Sequence, residues 1–272
     1  MKIFRVFFVS LATCSAAFAA ASTPQASPAP QASATPAAPA KTKTVSHIDP
    51  QALAILKRMS NTLAGAKSFV CKTQGVLEVP SMTGQFVTFF TTGEISMKRP
   101  NKFAARIGGD APHFDFYYDG SSVTAYAPGT GVYSTKKAPP TLDAMLPGLK
   151  AETGMRFPVA PLLYSNPYAV LTRGVFSGVV IGRSTVNGVA CEHLAFRSPG
   201  VNWEIWIEAG TRAVPRRLAT TFTDRPNFPR MIITFSDWSL DPWMMNDGIF
   251  TFHKPTAARE IPFASVMKAA DR

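Results

Sequence analysis

What this chain of 272 residues lacks narrows its function first. Histidine is scarce, with four in all, and His47, His113, His193 and His253 stand far apart in the sequence. Cys191 and His193 form a close pair, but two ligands do not make a structural zinc site. No metal site is expected, and His193 reads as a partly buried strand residue. A Gly-x-Ser-x-Gly elbow and a phosphate loop are both missing. Gly129-Thr130-Gly131 falls between strand-like segments, so those glycines belong to a turn. Asp237, Asp241 and Asp247 flank turns, where aspartate commonly caps its own backbone. No catalytic residue and no cofactor is expected, and the chain reads as a non-enzyme. Dense Lys/Arg runs are absent too, which sets nucleic acid aside. The formal net charge of +11 keeps an anionic membrane surface among the partners to consider. No run beyond the N-terminus approaches the ~18–20 apolar residues that span a bilayer.

Lys2 and Arg5 precede the apolar run Val6–Ala12, and Ala17-Phe18-Ala19 offers small residues where a signal peptidase reads. Residues 1–19 are expected to be a signal peptide, which makes the protein periplasmic. Leu11-Ala12-Thr13-Cys14 is a rival lipoprotein signal that anchors the chain through Cys14. Residues 20–46 are rich in Ala, Pro, Ser and Thr and read as a disordered linker. The folded domain is expected over 47–263, with a C-terminal tail over 264–272. Export leaves Cys71 and Cys191, an even pair in an oxidising compartment, so a disulfide between them is a candidate. Strand parity argues against it: Cys71 shares a face with Phe69, whereas Cys191 lies opposite Leu194 and Phe196.

Within the domain, Asp49-Pro50 predicts a helix start, with Ala52, Leu56, Met59 and Leu63 on one face and Gly65 as the stop. From Ser68 the apolar period becomes two. Asp119-Gly120, the 129–131 turn and Asn187-Gly188 punctuate the strands. Roughly ten strands are expected, the last over Ile249–His253, more than a flat open sheet holds comfortably. Residues 139–167 interrupt them with a Pro-punctuated apolar insertion. Thr141 is its N-cap, and Pro147 is expected to kink or split the helix.

The apolar content is in surplus, with 20 Phe, 10 Met and 4 Trp. Phe86–Phe90 is apolar on both strand faces. A curled sheet under a helical cover encloses an apolar cavity. The expected ligand-binding residues are Phe116, Tyr118, Trp203 and Ile205 on the sheet, and Met145, Leu146, Leu149, Leu162 and Leu163 in a lid above it.

The run Cys191-Glu192-His193-Leu194-Ala195-Phe196-Arg197, followed by Pro199-Gly200-Val201-Asn202-Trp203-Glu204-Ile205-Trp206-Ile207 and Pro215-Arg216-Arg217, resembles a bacterial family of predicted periplasmic proteins of unknown function. Ile48-Asp49-Pro50, Phe116-Tyr117-Tyr118-Asp119-Gly120 and Ala138-Pro139-Pro140-Thr141 match as well, so the resemblance extends from about His47 to Ile261. Pro229-Arg230 departs from the family's usual Pro-Gln. The family is similar in fold to the LolA and LolB lipoprotein carriers. That implies a mainly β (α+β) domain: a strongly curled antiparallel sheet forming an incomplete barrel, with helices covering the open side. It also implies acyl-chain binding, with a lipid or an acylated protein as partner. The alternative is an envelope interaction or stress-sensing protein that engages another envelope protein without transport. A large apolar cavity is expected in the first case and a filled one in the second.

Overall fold

The computed structural model describes residues 47–110, 113–153 and 157–263. The expected signal peptide, Cys14, the linker and the C-terminal tail lie outside the described residues. Helix α1 spans Pro50–Gly65, with Pro50 in its first turn and the Asp49 carboxylate accepting from the Gln51 N–H at 2.8 Å. Its buried side chains include Ala52, Leu56, Met59 and Leu63, the face expected from the spacing, together with Ile55.

Strands β1 (Ser68–Pro80), β2 (Phe86–Lys98), β3 (Lys102–Gly109), β4 (Phe114–Tyr118), β5 (Ser122–Ala127) and β6 (Val132–Lys137) follow as a meander. Helices α2 (Leu142–Thr153), α3 (Ala160–Leu163) and α4 (Pro167–Leu171) occupy the insertion. A second meander comprises β7 (Ser177–Val186), β8 (Val189–Ser198), β9 (Val201–Glu208), β10 (Pro215–Phe222) and β11 (Arg230–Leu240). Strand β12 (Arg259–Glu260) closes the element list. All twelve strands join one sheet in the order β12-β6-β5-β4-β3-β2-β1-β11-β10-β9-β8-β7. Every neighbouring pair is antiparallel except β12–β6. The outermost strands β12 and β7 do not pair with each other, so the sheet is open. The first and last long strands, β1 and β11, stitch the two meanders together at its centre.

Three expectations change. Ile249–His253 is not a strand: Asn246 caps a 3-10 turn at Asp247–Phe250 by accepting from Gly248 N–H at 2.8 Å. Helix α2 runs through Pro147 instead of splitting. The proline forfeits one backbone bond, while Met145, Leu146 and Leu149 on either side are buried. Strand β12 and helix α4, which lack a long apolar period, were not expected. The Asn187-Gly188 hairpin does form, with φ of 47° and 79°, the positive values a two-residue turn requires.

The helices share one face of the sheet. Val159, Leu162 and Leu163 close over Phe69, Cys71, Ile95, Phe235 and Trp238. Phe157 inserts its ring against Phe103 and Phe116, at 5.5 and 4.7 Å between centroids. Arg99, at the β2–β3 turn, fastens this cover. Its guanidinium donates to the carbonyls of Ala66 at 3.2 Å, Leu163 at 3.0 Å and Leu63 at 3.1 Å. One side chain thus serves the orphan carbonyls at the end of α1 and the end of α3. Burial lowers its pKa, and the nearby Asp143 opposes that shift.

Replacing Arg99 with alanine strips these part-buried carbonyls of a charge-assisted donor. The expected cost is about 3 kcal/mol, read by urea unfolding, and Arg99→Lys recovers only part because one ammonium does not span the fork. An Arg99→Ala chain within 0.5 kcal/mol of the parent, roughly the scatter of an ordinary surface change, contradicts this role.

Candidate functional site

The nine expected ligand-binding residues all lie in one buried apolar cluster. Alternation along the strands puts them there. Phe116 and Tyr118 of β4 oppose Ala105 and Phe103 of β3, and Ile205 and Trp203 of β9 oppose Leu194 and Phe196 of β8. In each pair both side chains point to the helix-bearing face. Trp203, the most exposed of the nine at 7%, stacks on Phe196 with ring centroids 4.3 Å apart.

Two segments cover them, the insertion and α1, as the apolar segments 50–65 and 142–163 are expected to do. Phe116 sits under Phe157, which precedes α3. Met145 and Leu149 of α2 lie beside Val123 and Ala138. Over β7–β9 the cover is α1, which packs on β7 and β9 and whose Arg58 pairs with Glu192 of β8. The Tyr118 hydroxyl donates to Pro139 O at 2.5 Å, which holds the start of the α2 segment to the sheet. Burial pushes that phenol up to about 12, with Asp119 adding to the shift.

Among the described residues, neither of the two clefts beneath these covers is the expected large cavity. The cleft between α3 and the sheet leaves no room for a water-sized sphere, and the one beside α2 leaves about 10 Å³. Phe157, which carried no periodic signal, occupies space that the sequence reading left for a ligand.

The candidate Cys71–Cys191 bond does not form, and both thiols are free. Cys71 lies on β1 and Cys191 on β8, with β11, β10 and β9 between them. Parity also places them on opposite faces, since Cys71 pairs with Ile95 and Cys191 with Glu208. Burial pushes both thiols up from their ordinary range.

The outer face carries a polar cluster that the sequence reading did not assemble. His193 stacks on Trp206 at 4.0 Å and meets Glu204 at 2.9 Å, and Arg230 reaches the other oxygen of Glu204 at 2.9 Å. Arg217 lies over the Trp206 ring. The signal was the alternation of Glu204, Trp206 and Glu208 with Trp203, Ile205 and Ile207. Each charged group there has a partner of opposite sign or an aromatic face, which is the arrangement of a stable outer surface. The C-terminal carboxylates are structural too: Asp241 accepts from Ser68 N–H at 2.9 Å, and Asp247 pairs with Lys98 and Lys102. Among the described residues no group of three or more His, Cys, Asp or Glu is placed to hold a metal. No helix there is long and apolar enough to cross a membrane.

Fold and site together define an α+β protein built on one open, mostly antiparallel sheet, with a single apolar face kept dry by helices. Residues 52–264 match the family model described as predicted periplasmic protein (DUF2092), and the chain belongs to that family of periplasmic proteins. No curated protein matches it. Among solved structures it is similar to the lipoprotein LppX of Mycobacterium tuberculosis, with 14% identity, a TM-score of 0.45, and coverage of 70% of this chain and 96% of that one. LprF of Mycobacterium bovis gives 14% identity, a TM-score of 0.42, and coverage of 78% and 99%. The Pseudomonas aeruginosa MucA/MucB complex gives 13% identity, a TM-score of 0.39, and coverage of 74% and 61%. At these scores the likenesses carry no conclusion about the chain's activity.

Buried thiols of raised pKa stay protonated and shielded. A thiol reagent such as DTNB is expected to leave the native chain unmodified at pH 8, and to titrate Cys71 and Cys191 together once guanidinium unfolds it. Failure of the unfolded, unreduced chain to release two equivalents contradicts the free-thiol assignment.

Proposed function

We propose that the chain is a non-catalytic periplasmic binding protein for a hydrophobic ligand, the acyl chain of a lipid or of an acylated protein. In this reading the sheet is curled into an incomplete barrel with its helices on the open side, and the ligand enters between sheet and helices. One observation carries it: Phe116, Tyr118, Met145, Leu146, Leu149, Leu162, Leu163, Trp203 and Ile205 share one continuous apolar layer beneath helical covers.

That layer is filled, so a ligand must displace part of the cover, and α2 is the element suited to move. It meets the sheet through Leu142, Met145, Leu146 and Leu149, and Pro147 weakens its backbone ladder. Its polar ties sit near its ends: Leu142 N–H to Pro100 O at 2.9 Å, Asp143 with Ser165, and Glu152 with Lys136. Helix α3, by contrast, is fastened by Arg99. Exchange of α2 for an acyl chain replaces apolar contact with apolar contact, and each methylene buried returns about 0.8 kcal/mol against the exposure of the α2 face.

The filled interior favours a second reading, in which the same fold serves as an envelope interaction protein and never opens. The two readings part at Leu149. Leu149→Glu places a carboxylate in the layer. If α2 lifts, the fold survives with a melting temperature within a few degrees of the parent, while uptake of a fluorescent fatty acid falls at least tenfold. If the layer is a fixed core, the substitution costs roughly 2–5 kcal/mol, as core disruption does. Unchanged uptake together with an unchanged melt sinks the acyl-binding reading.

A further inference from the structure

The tip of the β1–β2 hairpin stands outside both readings. Of the ten exposed large apolar side chains among the described residues, five lie on it: Leu77, Met82, Phe86, Val87 and Phe90. Every residue from Met82 to Thr88 is exposed, and no charged residue occurs from Val79 to Gly93. The hairpin also outruns its neighbour. Strand β2 pairs with β1 over its whole length, down to Phe86 opposite Pro80, but β3 pairs with β2 only from Thr91 onward. The last outward backbone bonds are those of Phe90, whose N–H goes to the Asp110 carboxylate and whose carbonyl accepts from Asp110 N–H, both at 2.8 Å. By strand alternation Thr88 and Phe86 also aim their N–H and C=O groups away from β1, and no partner meets them among the described residues.

An apolar strand with an open edge is a template for another strand unless charge, proline or a bulge blunts it, and none of these lies on β2 between Phe86 and Phe90. We propose that this edge docks an extended, uncharged peptide segment of another protein, which adds as a strand beside Phe86–Thr88, just past the Asp110 bonds to Phe90. Main-chain donors and acceptors give the partner its register. Phe86 and Phe90 on one face, and Val87 on the other, select alternating apolar or small side chains. The open edge disfavours a bilayer as the occupant, because hydrocarbon leaves such backbone groups unsatisfied and the stretch offers no Lys or Arg to headgroups. A second copy is disfavoured by the net positive charge that each chain carries. The site lies away from α2 and does not depend on the acyl reading.

The probe is a fluorescein-labelled Thr-Val-Thr-Phe-Thr-Val-Thr peptide, read by fluorescence anisotropy against the mature chain. Its fully N-methylated analogue keeps the side chains but lacks every backbone N–H donor. Thr88→Pro removes an outward N–H and leaves the bonds between β1 and β2 in place. Both changes are expected to weaken binding at least tenfold, with the melting temperature and fatty-acid uptake of Thr88→Pro unchanged. Equal binding of the methylated peptide, or equal binding by Thr88→Pro, overturns strand addition. So does absence of peptide binding, whether the chain sediments with phosphatidylglycerol vesicles instead or self-associates through this edge.

Discussion

The structure answers one constraint: a twelve-stranded open sheet has a broad apolar face that must be kept from water. Antiparallel alternation creates that face by sending every second side chain of eleven long strands to one side. Closing the sheet on itself is one way to hide it, but β12 and β7 remain unpaired. Cover therefore comes from helices, and the start of the folded domain and its central insertion supply different ones. Helix α1 lies over β7 and β9, and the insertion between the meanders lies over β1–β5 and β11. The cover depends on anchoring as well as on shape. Arg99 fixes α1 and α3 at a common point, and Tyr118 holds the start of the α2 segment. Between its ties at Leu142, Asp143 and Glu152, α2 lays Met145, Leu146 and Leu149 on the apolar layer, and hydrophobic contact is non-directional and readily exchanged for another apolar partner.

This asymmetry ties stability to function. A cover held throughout by polar bonds would make a rigid core; in the proposed reading, one held near its ends over an apolar bed can lift to admit a ligand. Phe157 packs against Phe103 and Phe116 and fills part of that bed. The hairpin tip of β1–β2 is the converse case, an apolar extension of the sheet that no helix reaches.

Much of the fold was legible in the sequence because its signals are local. Period-two alternation with Asp119-Gly120 and Asn187-Gly188 turns marked the hairpins, and Asp49-Pro50 marked α1. The face of each site residue also followed from parity, as did the opposition of Cys71 and Cys191. The rest was set by contacts distant in sequence. The pairing of β1 with β11, which separates the two cysteines by three strands, joins opposite ends of the domain. The short β12 gains its place only by pairing with β6. The filled cavity was illegible for a similar reason: Phe157 sits in an irregular segment whose side chain finds its place only once β3 and β4 are built.

In the proposed reading the apolar layer beneath α2 admits an acyl chain. Native mass spectrometry of the mature protein, purified without detergent from its own periplasm, tests this most directly. The account predicts a population carrying one lipid-sized adduct, released as the free protein at higher collision energy and lost in Leu149→Glu. A single mass equal to that of the bare chain, unchanged after incubation with phospholipid vesicles, would contradict it.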